Sequence, residues 1–485
     1  IYEYLGVSIA DYGAAVGQPI IRGMSGPRVK ILKNGVVNRD VSGLGVDHLN
    51  DVDLNDISQV EIVKGPSSLL YANGTIGGII NVVDDLISSK NFELPEFAVG
   101  YESQSVNDGN SEFVNLKGNV GGFNVNFGYK NTDFGNYDVP SGAVIHSEEE
   151  HHGEDEHDED EHHDDEHSEE DLGYINNSDF AVEATKFGVS KVTDWGYIGF
   201  GIDNLESVYG IPFHGDEHGD EHGDEHGDEH GDEDGHDEHG EERIFSTTDS
   251  ETFSIRGSYN VNGNLVNKVD FTYRDSDYSL TEAHEEEEHH EEEEHDEEEE
   301  HEEHAPTVFM NEAVEYGATF DISNDSSTQK VVVNFVDEDN SIVGEEAFMN
   351  PANSKEFTIG YYLSKELGMF DFDFGFRLDQ IERSGSVTEE EHGDHHDDDH
   401  GDEHGDEHGE VDYYNIDDST NSFAVTLGRS LTDNLGVSLG YASVERLPSS
   451  IELFMNGPHM ATGRFEVGDP NLNSETSNNF DITFN

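Results

Sequence analysis

The sequence predicts an all-β fold, an antiparallel transmembrane barrel of about fourteen strands behind a small N-terminal α+β domain. Three observations predict it. From Phe97 onward, stretches of period-2 alternation recur, as in Asn124-Val-Asn-Phe-Gly-Tyr129, Phe253-Ser-Ile-Arg-Gly-Ser-Tyr259 and Phe370-Asp-Phe-Asp-Phe-Gly-Phe376. The connections between these stretches alternate strictly, a short turn following each long loop. No apolar run approaches the roughly 18 to 20 residues of a membrane-crossing helix. That leaves a barrel open, because each barrel strand shows only weak alternation.

Residues 1–90 are glycine-rich, with short apolar strands. In Val29-Lys-Ile-Leu-Lys-Asn34-Gly35-Val-Val37, an Asn-Gly pair between apolar alternations predicts a type I′ hairpin. Val60 to Val83 reads as two apolar strands around a turn punctuated by Gly65, Pro66 and Gly74. These features set 1–90 apart as the α+β domain and 91–485 as the barrel.

Strands of about eight to ten residues are expected in the barrel. The short connections are Gly121-Gly122, Thr193 to Gly196, Val261 to Asn264, Ser323 to Thr328, Lys365 to Gly368 and Thr432 to Asn434. The long ones are Asp337 to Ser354, Glu445 to Ser477, and four acidic runs at 146–171, 214–242, 284–304 and 389–410. In an up-and-down meander every second connection falls on the same side, so all four runs leave one rim. So many antiparallel strands favour closure over a sheet with a wet edge. Paired sandwiches or a propeller would explain neither the alternation nor Tyr361, Tyr362, Tyr413 and Tyr414 near strand ends, where interface girdles sit.

The four runs hold 58 of the chain's 111 acidic residues and 26 of its 28 histidines. They contain no Lys or Arg, and supply 58 of the 88 net negative charges. Like charges at this density repel, and nothing apolar offsets the entropy of ordering, so the runs are expected to be solvated loops. Imidazole beside carboxylate suits borderline ions such as Zn²⁺, whereas carboxylate alone would suit Ca²⁺ or Mg²⁺. The regular HGDE spacing places capture ligands at His214, His218, His222, His226, His230, His236 and His239, with His151, His152, His400, His404 and His408 in two other runs. The bland alternative is a solubilising acidic loop.

With no Cys, any discrete metal site must use His and carboxylate. A net charge of -88 argues against nucleic acid as a partner. Enzymatic readings find no nucleophile elbow and no phosphate-binding glycine loop. The chain opens and closes mid-pattern without a signal peptide, and reads as a fragment.

Ile21-Arg22-Gly23, Val60-Glu-Ile-Val-Lys-Gly65-Pro66-Ser-Ser-Leu-Leu-Tyr71 and Gly77-Gly78-Ile-Ile-Asn81-Val together resemble the plug domain of TonB-dependent outer-membrane receptors. Glu445-Arg446-Leu-Pro448-Ser-Ser-Ile-Glu452-Leu-Phe454 and Gly468-Asp-Pro470-Asn471-Leu472-Asn-Ser-Glu475 resemble their loop-to-strand signature. Within that family the chain is most similar to the zinc receptors of the ZnuD type. The resemblance implies a 22-stranded antiparallel barrel in outer-membrane lipid, incomplete here, with the plug in its lumen. It also implies a TonB box outside this sequence, the TonB-ExbB-ExbD complex as partner, and Zn²⁺ as transported substrate with no catalytic cofactor.

Its zinc site maps onto Asp47-His48 in the N-terminal domain and His459 in a barrel loop, with Glu282 as a looser match for a further carboxylate. His48 and His459 are also the two histidines outside the acidic runs. Those ligands would make a tetrahedral N/O site. Alternative cargoes within the family are Cu²⁺, Ni²⁺, Co²⁺, haem with His459 as axial ligand, a siderophore or cobalamin. A passive structural or adhesive barrel is the remaining reading.

Overall fold

The computed structural model describes residues 6–12, 15–43, 48–143, 173–212, 243–285, 306–344, 347–389, 410–459 and 464–484. A hairpin of β1 (Val7–Tyr12) and β2 (Val16–Ile21) leads into a four-stranded sheet of β3 (Val29–Lys33), β4 (Val36–Val37), β5 (Ile57–Val63) and β6 (Gly78–Asp84). Its order is β4-β3-β6-β5, with β3 and β6 parallel. Asn34 and Gly35, at φ 54° and 83°, form the two-residue turn that the Asn-Gly pair predicts, with Lys33 opposite Val36. The helical part expected in this domain reduces, among the described residues, to 3-10 turns at Gly26–Arg28 and Pro66–Leu70. Each carries a proline in its first two positions, Pro27 and Pro66, and is too short to propagate as an α-helix.

Fourteen strands then form one antiparallel sheet. They are β7 (Glu96–Gln104), β8 (Gly109–Val120), β9 (Phe123–Phe134), β12 (Phe180–Thr193), β13 (Gly196–Gly210), β14 (Arg243–Asn260), β15 (Lys268–Glu285), β16 (Thr307–Asp321), β17 (Thr328–Val343), β18 (Ala352–Leu367), β19 (Phe370–Glu389), β20 (Glu410–Thr432), β21 (Leu435–Arg446) and β24 (Glu475–Phe484). Each pairs with its neighbour in chain order. A two-residue pair, β10 (Tyr137–Asp138) and β11 (Tyr174–Ile175), lies in the connection after β9. Helix α1 (Ser450–Phe454) and the hairpin β22 (Asn456–His459) and β23 (Arg464–Val467) lie in the connection before β24.

The sheet wraps around the N-terminal domain. Asp56 pairs with Lys117 on β8 at 2.8 Å, Asp53 with Lys186 on β12 at 2.6 Å, Arg39 with Glu338 on β17 at 2.9 Å, and Arg28 with Glu475 on β24 at 2.9 Å. A domain this small can touch both β8 and β24 only inside a curved wall. Gly375 lets it approach closely, since a Cβ there would overlap the Pro66 carbonyl.

The outer face carries the apolar band. Phe253, Tyr273, Tyr316 and Phe335 step from strand to strand with ring centroids 6.3, 5.1 and 6.4 Å apart, and Tyr441 and Phe480 continue it at 4.7 Å. No helix among the described residues is long and apolar enough to cross a membrane. Exposed aromatics at this density are the lipid-facing surface of a barrel. Replacing Phe335 with Arg is therefore expected to cost about 2–4 kcal/mol if it sits at the bilayer midplane, measured by reversible folding into lipid vesicles.

The four acidic runs interrupt connections that share one side. Strand ends Phe134 and Phe180, Gly210 and Arg243, Glu285 and Thr307, and Glu389 and Glu410 flank them, and an even number of crossings separates each from the next. Apart from these flanking ends the runs lie outside the described residues, as do all twelve capture histidines.

Three expectations need correction. Twelve of the fourteen strands exceed the expected eight to ten residues, reaching 23 in β20, while β7 and β24 keep to it. Asp337 to Val343 belongs to β17, so that loop shortens to 344–351. In both cases the apolar alternation stops where the wall leaves the lipid, but the hydrogen-bond ladder continues. The tyrosines are also not one girdle, because adjacent strand residues face opposite sides. Tyr413 is exposed, while Tyr414 packs inward on Phe454 at 6.3 Å.

Candidate metal centre

His48 sits on a loop of the N-terminal domain that polar side chains hold in shape. Asp40 accepts hydrogen bonds from the Ser42 amide (3.1 Å) and hydroxyl (2.5 Å), the Asn38 amide group (2.8 Å) and the Asp51 amide (3.1 Å). Gln18 Nε2 donates to the carbonyls of His48 and Ser42, each at 3.1 Å. The Leu49 amide donates to the Tyr209 hydroxyl at 3.3 Å, which ties the loop to β13 of the wall. Burial pushes the carboxyl of Asp51 up to about 6, with the Asp40 charge adding to it and a hydrogen bond from Ser250 opposing it.

His459 arrives from the other direction. Ser449 and Glu452 form a capping box at the start of α1. Arg446 donates to both oxygens of Glu452, at 2.7 and 2.8 Å, and also pairs with Glu475 at 2.9 Å. Burial works against ionisation of Glu452, but the bonds from Arg446 and Ser449 outweigh it and hold the carboxyl at about 2. Behind the helix, the Asn456 amide donates to the Phe348 carbonyl and its side chain to the Thr388 carbonyl, both at 2.7 Å. Met455, Gly457 and His459 are buried at alternate positions and so share the inward face of β22.

The two histidines meet. Their ring centroids are 5.5 Å apart with planes within 17° of parallel, and their side chains belong to residues 0% and 2% exposed. Phe309 stands edge-on to His48 at 5.1 Å, and Phe348 lies 4.9 Å from His459. Imidazole nitrogen bonds zinc in the ring plane at about 2.0–2.1 Å, so this spacing lets one small ion bridge the two rings once side-chain rotation turns a nitrogen of each toward it. The aromatic shell would strengthen such a bond by excluding water.

Glu282 is 8% exposed on β15, on the same face as Tyr278 and Leu280. Leu280 is the register partner of Phe309. Among the described residues, no group of three or more His, Asp or Glu side chains gathers closely enough to hold a metal, so Glu282 does not complete a cluster with the histidines here. Asp47 lies outside the described residues. Sequence reasoning missed Gln18, Asp51, Tyr209, Phe309 and Phe348. Only alternation along β15 and β16 carried a signal, by placing Leu280 and Phe309 inward.

Residues 3–79 match the TonB-dependent receptor plug domain, and residues 100–485 match the TonB-dependent receptor-like β-barrel. The vitamin B12 transporter BtuB of Vibrio vulnificus is 29% identical over 114 residues, 23% of this chain and 18% of that protein. The hemin receptor of Yersinia enterocolitica is 32% identical over 103 residues, 21% of this chain and 14% of that protein. Among solved structures, the copper transporter OprC superposes with a TM-score of 0.68 at 12% identity, over 99% of this chain and 64% of that one. The FrpB iron transporter of Neisseria meningitidis gives 0.62 at 12% identity, over 99% and 66%. The chain thus spans about two thirds of the length of these structures and less than a fifth of the two curated relatives is aligned. A wrapped antiparallel wall, a domain inside it and two family models covering both parts lead to one conclusion: the chain belongs to the TonB-dependent receptors, a family of the Gram-negative outer membrane.

Proposed function

We propose that this receptor imports a free transition-metal ion, zinc foremost, through a discrete site between plug and barrel loop. His48 and His459 are its nitrogen ligands, and Asp47 and Glu282 its candidate carboxylates. The observation that carries the reading is the stacked pair itself. The two histidines outside the acidic runs lie 411 positions apart in the chain, yet sit ring to ring, buried among core aromatics. In this reading the plug is residues 1–90 and the barrel 91–485. The His-rich runs concentrate cations above the site by electrostatic focusing, and the TonB-ExbB-ExbD complex pulls on the plug to release the ion inward.

One observation favours copper as a second reading. Met349 and Met455, 3% and 5% exposed, belong to the same core as the aromatic shell, and thioethers favour Cu(I). Competition separates the cargoes. In cells carrying the full-length receptor and no other high-affinity zinc uptake, unlabelled Zn²⁺ is expected to suppress uptake of radioactive zinc at lower concentration than copper or haem does. Suppression by copper or haem at concentrations where zinc has no effect would remove the zinc assignment.

A further inference from the structure

Between the plug and the β16–β19 wall lies a cavity of about 190 Å³, bordered by α1. Drug-sized ligands occupy pockets of roughly 300–1,000 Å³, so this one has room for a small molecule but not for a haem. Three neutral side chains on its lining hold polar atoms with no hydrogen-bond partner among the described residues: Asn311 Oδ1, Ser354 Oγ and Ser450 Oγ. All three residues are at most 4% exposed. Arg39 Nε, on the same lining, is also shielded and unpartnered. The four come from a plug loop, β16, β18 and α1, yet border one space. Native folds keep such atoms few, so four around one cavity point to a guest that supplies the missing bonds.

The chemistry of the guest follows from which lining groups are already engaged. The carboxylates are. Asp40 accepts four bonds from Asn38, Ser42 and Asp51, Glu338 accepts from Arg39 and Asn311 at 2.9 Å each, and Glu356 accepts from Asn73 at 2.9 Å. Two of the cations are engaged as well. Arg377 bonds Asp379, Thr358 and the Leu69 carbonyl, and Arg446 grips Glu452 and Glu475.

Lys30 and Arg383 keep their donors unused. Lys30 has no hydrogen bond or ion pair among the described residues, and Arg383 has one loose contact, 3.7 Å from Glu356. Burial lowers Lys30 only to about 8, against the opposing pull of Glu356, so it stays mostly charged at neutral pH. These groups converge. Ser354 is the register partner of both Glu338 on β17 and Arg383 on β19, and Glu338 holds Arg39. The unused hydroxyl, the unused guanidinium donors and Arg39 Nε therefore meet at one rung of the wall, and Lys30 faces the same cavity from β3.

We propose that this cavity binds a small oxyanion, a carboxylate or phosphate, held by Lys30, Arg383, Arg39 Nε and the Ser354 hydroxyl. An oxyanion only accepts hydrogen bonds, and the unused groups at this rung are donors. Water alone serves less well, because it brings no charge to offset the buried Lys30 and Arg383. Asn311 Oδ1 and Ser450 Oγ are left to water bridging to the anion. Since Lys30 and Arg39 belong to the plug, and Ser354 and Arg383 to the wall, the bound anion ties the two together. The site stands whether or not the histidine pair holds a metal.

The test uses purified full-length receptor in metal-free buffer. Sodium phosphate and sodium succinate are the probes, with sodium chloride at equal ionic strength as control. Calorimetric titration is expected to show saturable one-to-one binding of at least one oxyanion and none of chloride, and the probe that binds tells phosphate from carboxylate. Lys30→Gln removes a charge that makes no ion pair, and is expected to weaken binding about tenfold or more. Ser354→Ala deletes one buried hydroxyl and is expected to weaken binding about threefold or more, which keeps the proposal testable if Lys30→Gln fails to insert. Without oxyanion, Ser354→Ala should melt with the wild type, because no bond within the protein is lost. Wild-type affinity in either inserted variant places the anion elsewhere and overturns the site. So does the absence of oxyanion binding, which leaves the cavity to water, or an equal response to chloride, which reduces the effect to ionic screening.

Discussion

Replacing His48 or His459 with alanine is expected to lower zinc affinity of the discrete site by about a hundredfold or more, and to abolish uptake at limiting zinc. Each ring supplies one of only two nitrogen donors, and altering even the groups behind a ligand typically costs 10–100-fold. The two single variants should be equally severe, and the double variant hardly worse, because one imidazole cannot hold the ion across the plug–barrel gap. Titration of purified receptor with zinc checks this, with the acidic runs deleted in parallel so that their many weak sites do not mask the strong one. Each substitution also empties space beside Phe309 or Phe348, so asparagine or glutamine at the same positions should separate lost packing from lost coordination.

The second large effect is expected at Glu452, which never touches the metal. Glu452→Gln removes the charge that Arg446 grips with two bonds and weakens the capping box, and with it the anchor that aims β22 and His459 at the plug. Zinc affinity should fall by about tenfold, while the isolated capture capacity of the acidic runs stays unchanged. The pH dependence has a definite sign. The folded carboxyl sits at about 2, below its ordinary value of 4.5. Its contribution is therefore fully present above pH 4.5 and is lost as pH falls from 4.5 toward 2. Glu452→Gln should remove the part of acid unfolding that falls in that window. An unchanged acid-unfolding profile would show that the Arg446–Glu452 pair does not hold the loop.

Much of this architecture was legible in the chain because connection lengths obey parity whatever the strand details. Gly121-Gly122, Thr432 to Asn434 and the acidic runs fall on opposite sides for that reason alone. Strand lengths were not legible. Hydropathy reports the face toward lipid, and at the start of β20 the apolar residues switch faces, Val411 and Tyr413 on one and Tyr414 and Ile416 on the other, although the ladder is continuous. His48 and His459 stood out because composition isolates them. Asp51 could not, as one carboxylate among 111. Phe309 and Phe348 required the fold, since nothing local distinguishes a shell residue from an ordinary core aromatic.

The central claim is that one metal ion bridges plug and loop through His48 and His459. Anomalous diffraction from zinc-loaded crystals of the full-length receptor, recorded at the zinc edge, tests it most directly. The account predicts a peak about 2.0–2.1 Å from one nitrogen of each ring. Zinc confined to the acidic segments, with no peak between the two imidazoles, would contradict it.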